Sequence, residues 1–249
     1  MSCGLFVFLT SRRDEPMMLG ETETTMREDA APERIVRWMF KRFAGRRLVI
    51  TTAFGMEGCA LLDMVARQGH PVPVIWLDTW FLFPETHRLR ERLAARYPHL
   101  VFENRGTSLS PEEQDARHGP ELWRRDPDTC CRIRKVDPMR EALTGVDVWV
   151  TGLTRTQSAT RARTRVVEWD WQYQVLKVSP LAGWDRARVW DYVQANDVPY
   201  NELHQRGYPT VGCTHCTLPV AGTRIDSYSR EGRWAGTQKM ECGLHLSPG

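Results

Sequence analysis

Long apolar runs are missing from this chain of 249 residues. The opening "GLFVFL", residues 4 to 9, is too short for a membrane span or a signal-peptide core, so a cytoplasmic protein with no membrane partner is expected. Strong charge of either sign is missing too. A formal net charge of +3 and a pI near 8.5 create no global field that would recruit nucleic acid, so any anion must be met locally. Neither the dinucleotide fingerprint G-x-G-x-x-G nor the Walker phosphate loop occurs. The seven cysteines, at 3, 59, 130, 131, 213, 216 and 242, are an odd number, which speaks against a disulfide framework and for metal or redox chemistry. Lysine is scarce, found only at 41, 135, 177 and 239 among 34 basic residues. A lysine close behind the pair Cys130–Cys131 is therefore an unusual choice in this chain.

What is present is an alternation of elements. With 41% hydrophobic residues the chain can bury a real core. Ile35, Val36, Met39, Phe40 and Phe43 recur at helical spacing, so "PERIVRWMFKRF" predicts an amphipathic helix with Pro32 at its start. "RLVITTAFGMEGCALLDMVARQG" reads as strand, glycine-bearing turn and helix. "VPVIWLD", "LVFEN" and "GVDVWVTGL" predict further strands, with the helix "FPETHRLRERLAARY" between the first two. Later come a strand-like "YQVLKVSPL" and a helix "WDRARVWDYVQAND". Such alternation predicts an α/β fold, a mostly parallel sheet flanked by helices, with ligands at the carboxyl ends of the strands. Residues 1–32 are expected to be a loosely ordered lead-in and 33–225 the nucleotide- and cysteine-bearing α/β domain. Residues 226–249 are expected to form a C-terminal segment, part of a stretch from Gly207 that shows no periodicity.

Chemistry concentrates at a few places. Adjacent cysteines rarely bridge each other, so Cys130 and Cys131 need partners from elsewhere, and "GCTHCTLP" offers Cys213 and Cys216. Four thiolates suit tetrahedral zinc or an iron–sulfur cluster. "TRTQSATRARTR" is a loop candidate with anion-binding character, and Arg230 and Arg233 in "SREGRW" can clamp a sulfate or phosphate if they share a face. The turn "AFGMEG" can direct backbone N–H groups at an anion. "MECGLH" places Cys242 between Lys239 and His245, a basic setting of the kind that lowers a thiol pKa. Cys59 reads as a buried small hydrophobe, and the ten tryptophans as packing residues.

Taken in order, "TAFGMEG", "LDTWFLFPET", "CCRIRK", "TGLTRTQSATR", "VPYNELHQRGYPTVGCTHCT", "REGRW" and "ECGLH" resemble assimilatory adenylyl-sulfate (APS) reductases, the iron–sulfur type of the APS/PAPS reductase family. The resemblance is colinear over roughly residues 33 to 246. It implies an adenine nucleotide alpha-hydrolase-like fold with a mobile C-terminal segment, and reduction of adenylyl sulfate to sulfite and AMP in sulfate assimilation. It implies one [4Fe–4S] cluster on Cys130, Cys131, Cys213 and Cys216, in an electrostatic and organising role rather than as electron donor. Cys242 is then the catalytic nucleophile and passes through an S-sulfocysteine, with a thioredoxin- or glutaredoxin-type dithiol as reducing partner. Lys135, Arg161, Arg230 and Arg233 match the anion-contacting positions, His245 matches the histidine of the terminal motif and is also expected to bind substrate, as are Thr52, Phe54 and Gly55 of the nucleotide turn. A homo-oligomer is left open.

The chain departs from the family at several points. Ala53 replaces the usual serine, with Thr52 as a substitute hydroxyl, and Gly58 replaces the acid after Glu57. Trp80 stands where a glycine follows "LDT", and the paired arginines after "TG" are reduced to Thr154 and Arg155. Two other readings are kept: a PAPS or dual APS/PAPS reductase, since "FLFPET" is closer to the PAPS branch, and a zinc-bound, non-catalytic adenylate-binding module.

Overall fold

The computed structural model describes residues 26–245. Pro32 opens α1 (Pro32–Arg42), which turns Ile35, Val36 and Met39 inward as the spacing predicts. Then follow β1 (Leu48–Thr51), α2 (Met56–Ala66), β2 (Val72–Trp76), α3 (Pro84–Arg96) and β3 (Leu100–Asn104). A run of short helices comes next: α4 (Pro111–His118), α5 (Leu122–Arg125) and α6 (Pro127–Cys131), a π-helical turn over Arg132–Val136, and α7 (Asp137–Ala142). β4 (Val148–Thr151), β5 (Val167–Asp170), β6 (Val175–Val178) and α8 (Arg186–Ala195) complete the set. The expected strands and long helices are all present. The short helices between 111 and 142 and strand β5 are additions that the sequence pattern does not announce.

The six strands lie in the order β3-β2-β1-β4-β6-β5, all parallel except β5, which runs antiparallel to β6 at the edge. The chain steps from β1 outward to β2 and β3, then returns to place β4 on the other side of β1. The strand order therefore reverses between β1 and β4, where open α/β sheets leave a crevice at the carboxyl ends of the strands. Alternation along the strands supplies two cores. Ile50, Val148 and Val150 face α1, α2 and α8, whereas Val49 and Trp149 face Met139, Ala142 and Leu143 around α7. Helix α2 is buried on nearly every side, and its Asp63 is satisfied by Tyr97 Oη at 2.8 Å, Tyr192 Oη at 2.6 Å and Arg67 Nε at 2.6 Å.

Residues 1–25 of the expected lead-in, Cys3 among them, lie outside the described residues, as do 246–249. Residues 26–31 are tied down: Met26 and Ala30 pack on the core, and Glu28 accepts from Arg155, Arg165 and the Val166 amide. No helix among the described residues is long and apolar enough to cross a membrane.

Candidate active site

The crevice between β1 and β4 opens into one cavity, and its floor is backbone. Thr51 pairs with Thr151 across the two strands, and the chain after β1 bends through Thr52, Ala53, Phe54 and Gly55 into α2. Phe54 N–H donates to Thr52 Oγ1 at 2.9 Å, closing the turn, and Phe54 takes a left-handed φ of 57°. Its ring is buried against Trp76 and Phe102, so Phe54 offers the cavity its backbone rather than its side chain. Gly58 is required by packing: a Cβ there would stand 2.5 Å from Thr52 Oγ1. The Gly58 departure and the Thr52 hydroxyl are thus one fitted contact, while Ala53 is exposed. Trp80 also finds its explanation. It adopts a φ of 64°, a conformation that suits glycine, yet its side chain is 55% exposed and its indole N–H donates to Thr107 O at 3.1 Å, away from the cavity. Arg155 is committed to Glu28 and to Thr164 O and does not line the cavity.

The walls are cationic. Lys135, Arg161, Arg186, Arg230 and Arg233 line the cavity with Cys242 and His245, so every residue expected to bind substrate meets the expected nucleophile in one place. Arg186 is a buried hub, donating to Glu57 Oε1 at 2.8 Å, to Pro209 O at 3.2 Å and to Ile225 O at 3.2 Å. Beside it, His204 Nδ1–H donates to Tyr208 O at 2.7 Å, and burial with the Arg186 charge pushes its pKa down to about 4. Arg230 and Arg233 both lie over the Trp234 ring, at 5.4 and 4.5 Å, and both line the cavity. Nine buried side-chain polar atoms among the described residues make no hydrogen bond, one of them, Glu168 Oε1, being held instead by the Lys177 ammonium at 2.9 Å. Six of them (Arg161 Nε, His204 Nε2, Thr210 Oγ1, Arg230 Nε, Trp234 Nε1 and His245 Nδ1) belong to residues lining this cavity. Buried polar groups are normally paired, so this concentration marks a place shaped for a polar ligand.

Of the three bases behind the cysteine pair only Lys135 faces the cavity. Arg132 pairs with Asp137 outside, and Arg134 is buried over Phe81, donating to Gln114 Oε1 and to the carbonyls of Thr79, Leu109 and Ser110. Lys135 forms part of both this cavity and a smaller one lined by Cys130, Cys131, Cys213 and Cys216. Burial opposes the Lys135 charge, but the negative charge that Cys213, Cys131 and Cys242 carry as thiolates outweighs it and raises the lysine pKa. The Cys213–Cys216 turn is fixed by Thr214 N–H donating to Phe81 O at 2.7 Å, Trp234 N–H to Cys216 O at 3.1 Å and the Thr79 hydroxyl against Cys213 Sγ at 3.2 Å. His215 stacks on Trp123 at the rim.

Among the described residues no three His, Cys, Asp or Glu side chains close on a single metal-ion position; the four thiols surround a small space instead. Desolvation pushes Cys130 up to about 12 and Cys131 up to about 11, so a bound cationic group is needed to draw their protons off. Four convergent thiols around a space suit a multi-atom cluster better than one zinc ion.

Cys242 itself is held in the wall. Burial raises its pKa, but Lys135, the Leu244 N–H, Arg161 and Arg233 together bring it below the ordinary thiol value. Gln172 Nε2 donates to Gly243 O at 2.9 Å, Leu244 packs on the α7 face of the sheet, and His245 stacks on Trp149 with centroids 5.1 Å apart. The His245 imidazole is neutral, because burial and the Arg161, Lys177 and Arg230 charges all lower its pKa. Sequence reasoning missed Arg186, Glu57 and Glu241. Of these Glu57, inside "AFGMEG", and Glu241, adjacent to Cys242, lay in recognised stretches, whereas Arg186 carried no signal.

A mostly parallel α/β sheet with helices on both faces has the adenine nucleotide alpha-hydrolase-like fold, and the cationic, cysteine-bearing crevice at its switch point is where such a fold takes a ligand. Residues 47–219 match the phosphoadenosine phosphosulfate reductase domain. The chain is 42% identical over 220 residues to adenosine 5'-phosphosulfate reductase of Oceanobacillus iheyensis, spanning 88% of this chain and 90% of the relative. It is also 42% identical over 241 residues to phosphoadenosine 5'-phosphosulfate reductase of Gloeobacter violaceus, spanning 94% and 98%. Its structure is similar to that of phosphoadenylyl-sulfate reductase from Candida auris in a phosphate complex, with a TM-score of 0.66, 34% identity, and coverage of 76% of this chain and 91% of that one. Yeast FAD synthetase shares the fold, with a TM-score of 0.55 at 16% identity. The chain belongs to the phosphoadenosine phosphosulfate reductase family.

Proposed function

We propose that this chain reduces adenylyl sulfate to sulfite and AMP through an S-sulfocysteine on Cys242. The observation that carries this reading is that Cys242 lines the same cavity as Lys135, Arg161, Arg230 and Arg233, at the switch point where nucleotides bind. Sulfate oxygens repel a thiolate unless cations neutralise them, and these four side chains supply that charge within a desolvated site. The Cys242 thiolate attacks sulfur, the S–O bond to the phosphate breaks, and AMP leaves with the bonding pair. A dithiol of the thioredoxin or glutaredoxin type then attacks Cys242 Sγ, sulfite departs, and the second thiol of the partner resolves the mixed disulfide. The dithiol is oxidised by two electrons, and Cys242 returns as a thiol. Cys130, Cys131, Cys213 and Cys216 would hold a [4Fe–4S] cluster, which supplies a fixed, organising charge beside Lys135 when bound.

The names of relatives on both branches favour a second reading at the level of substrate, in which PAPS is accepted as well. The test is intact mass of anaerobically purified, cluster-bearing protein mixed with APS, and separately with PAPS, without reductant. The expected result is one added SO3 group mapped to Cys242 with APS. An adduct with both nucleotides would make it a dual reductase, and no adduct with either would overturn the mechanism. Cys242→Ser is expected to lower turnover by about a thousandfold or more while nucleotide still binds. Retained turnover in that variant would sink the assignment of the nucleophile.

A further inference from the structure

Glu241 takes no part in the bond changes described above, yet it is among the best-held carboxylates in the molecule. Its side chain is 7% exposed. One oxygen, Oε2, accepts from Arg161 Nη2 at 2.9 Å and Arg230 Nη2 at 3.2 Å. The other, Oε1, accepts from Ser158 Oγ at 2.9 Å and Thr160 Oγ1 at 3.2 Å. Arg230 Nη2 also donates to Met240 O at 2.9 Å. Burial raises the Glu241 pKa, but Arg161 and Arg230 bring it below the ordinary carboxylate value. The residue immediately before Cys242 is therefore bound by four side chains from two distant segments.

The two guanidinium groups each have one edge only half used. On both arginines the Nε–H shares an edge with the Nη2 that holds Glu241, and on both that Nε is buried without a partner. A planar guanidinium edge presents two parallel donors, and an oxyanion takes both when it can. Arg161 and Arg230 thus spend Nη2 on the chain's own carboxylate, and Arg161 spends Nη1 on Gln157 Oε1 at 2.6 Å, while the adjacent Nε–H of each is buried and unpaired.

We propose that Glu241 is the positioning residue for Cys242: its carboxylate latches the tail onto Arg161 and Arg230, so that the thiol stands at the cavity beside the two cations that would hold the oxyanion of the substrate. The inference rests on the reading of those arginines as the sulfate's partners. Glu241 also sets how strongly they attract that anion, because it already neutralises part of their charge. Positioning and affinity therefore pull in opposite directions at this residue.

That opposition makes the test specific. Glu241→Gln keeps the shape but removes the charge, leaving two buried guanidinium groups with one counter-charge fewer. Adenylyl sulfate should bind about tenfold more tightly to Cys242→Ser/Glu241→Gln than to Cys242→Ser, because an unpaired buried cation gains most from a new anion. In protein retaining Cys242, formation of the SO3 adduct should slow by about tenfold or more, because the thiol is no longer held in place. Glu241→Asp, which keeps the charge, should fall between the two. Unchanged values in both assays would overturn the proposal, and so would weaker binding together with a slower adduct, the pattern of a merely structural residue. If the unsubstituted protein forms no adduct at all, the reaction reading fails, and the latch is judged alone by iodoacetamide labelling of Cys242. Labelling about tenfold faster in Glu241→Gln would support the latch, and equal rates would overturn it.

Discussion

On one side of the cavity, residues 51–58 and 151–153 take their places from parallel strand pairing and from a helix buried on nearly every face. On the other side, residues 207–245 hold no strand and no helix beyond the three-residue turn Thr214–Cys216. That wall is assembled from isolated bridges, Leu82 to Cys213 and Thr217 to Arg233, and from cations donating to carbonyls and carboxylates. The floor is stabilised by burying apolar area, spread over many contacts rather than resting on any one bond. The wall depends on individual polar bonds, each of which leaves a buried group exposed to penalty if its partner is removed. Chemistry that must bring a nucleophile in and let it out belongs on the second kind of surface.

The contrast can be broken most decisively at Arg186, the residue that joins the two sides. Arg186→Met would strand Glu57 as a buried carboxylate and free the carbonyls of Pro209 and Ile225. It should lower the unfolding free energy by about 3–5 kcal/mol in denaturant titration. A loss under about 1 kcal/mol would show that the wall does not hang on this hub.

His204, beside it, sharpens the same point through pH. Its folded pKa of about 4 lies below the unfolded value near 6.5, so the unfolded chain binds the extra proton between these limits. Its contribution is constant above about pH 6.5, falls as pH drops towards 4, and totals up to about 3 kcal/mol. His204→Gln should flatten that part of the stability profile, measured by denaturant midpoints between these pH values, and an unchanged slope would remove His204 from the account.

The smallest effect is expected on the floor side, at Trp80. Trp80→Gly relieves the left-handed conformation but loses the indole bond to Thr107 O, so stability should change by less than about 1 kcal/mol. Nucleotide affinity should stay as it was, since the ring faces solvent. A large gain in affinity would mean that the indole crowds the cavity after all.

Legibility in the sequence divides along the same line. The strands and long helices were readable because Ile35, Val36 and Met39, or the run Leu48–Thr51, repeat with the period of their element. β5 escaped because "VEWD" is four residues with only its last buried, an edge with little apolar signal. The helices from 111 to 142 escaped because they are short and owe their ends to proline and capping side chains such as Ser110 and Asp126. In the site, cysteines and arginines were found from their types and motif order. Arg186 could not be, because it lies in no local pattern, and Glu57, although inside "AFGMEG", takes its meaning only from meeting Arg186 across 129 residues. Trp80 and Gly58 looked like losses in the sequence and prove to be accommodated by a solvent-facing ring and a contact with Thr52.

The widened turn at Arg132–Val136 carries a consequence for which lengths of chain can be inherited here. Upstream of it, Cys130 and Cys131 must point at the small cavity, and within it Lys135 must reach the large one. Downstream, Met139, Ala142 and Leu143 must meet the sheet. A regular helix rotates by about 100° per residue, and the π turn absorbs one residue more than a regular turn does. Deleting a single residue between Cys131 and Asp137 would turn the widened turn into a regular one, keeping the two helix ends in phase but moving the side chains between them, Lys135 and the buried Arg134 included. The extra residue thus sets where these two cations stand without changing how the ends on either side face.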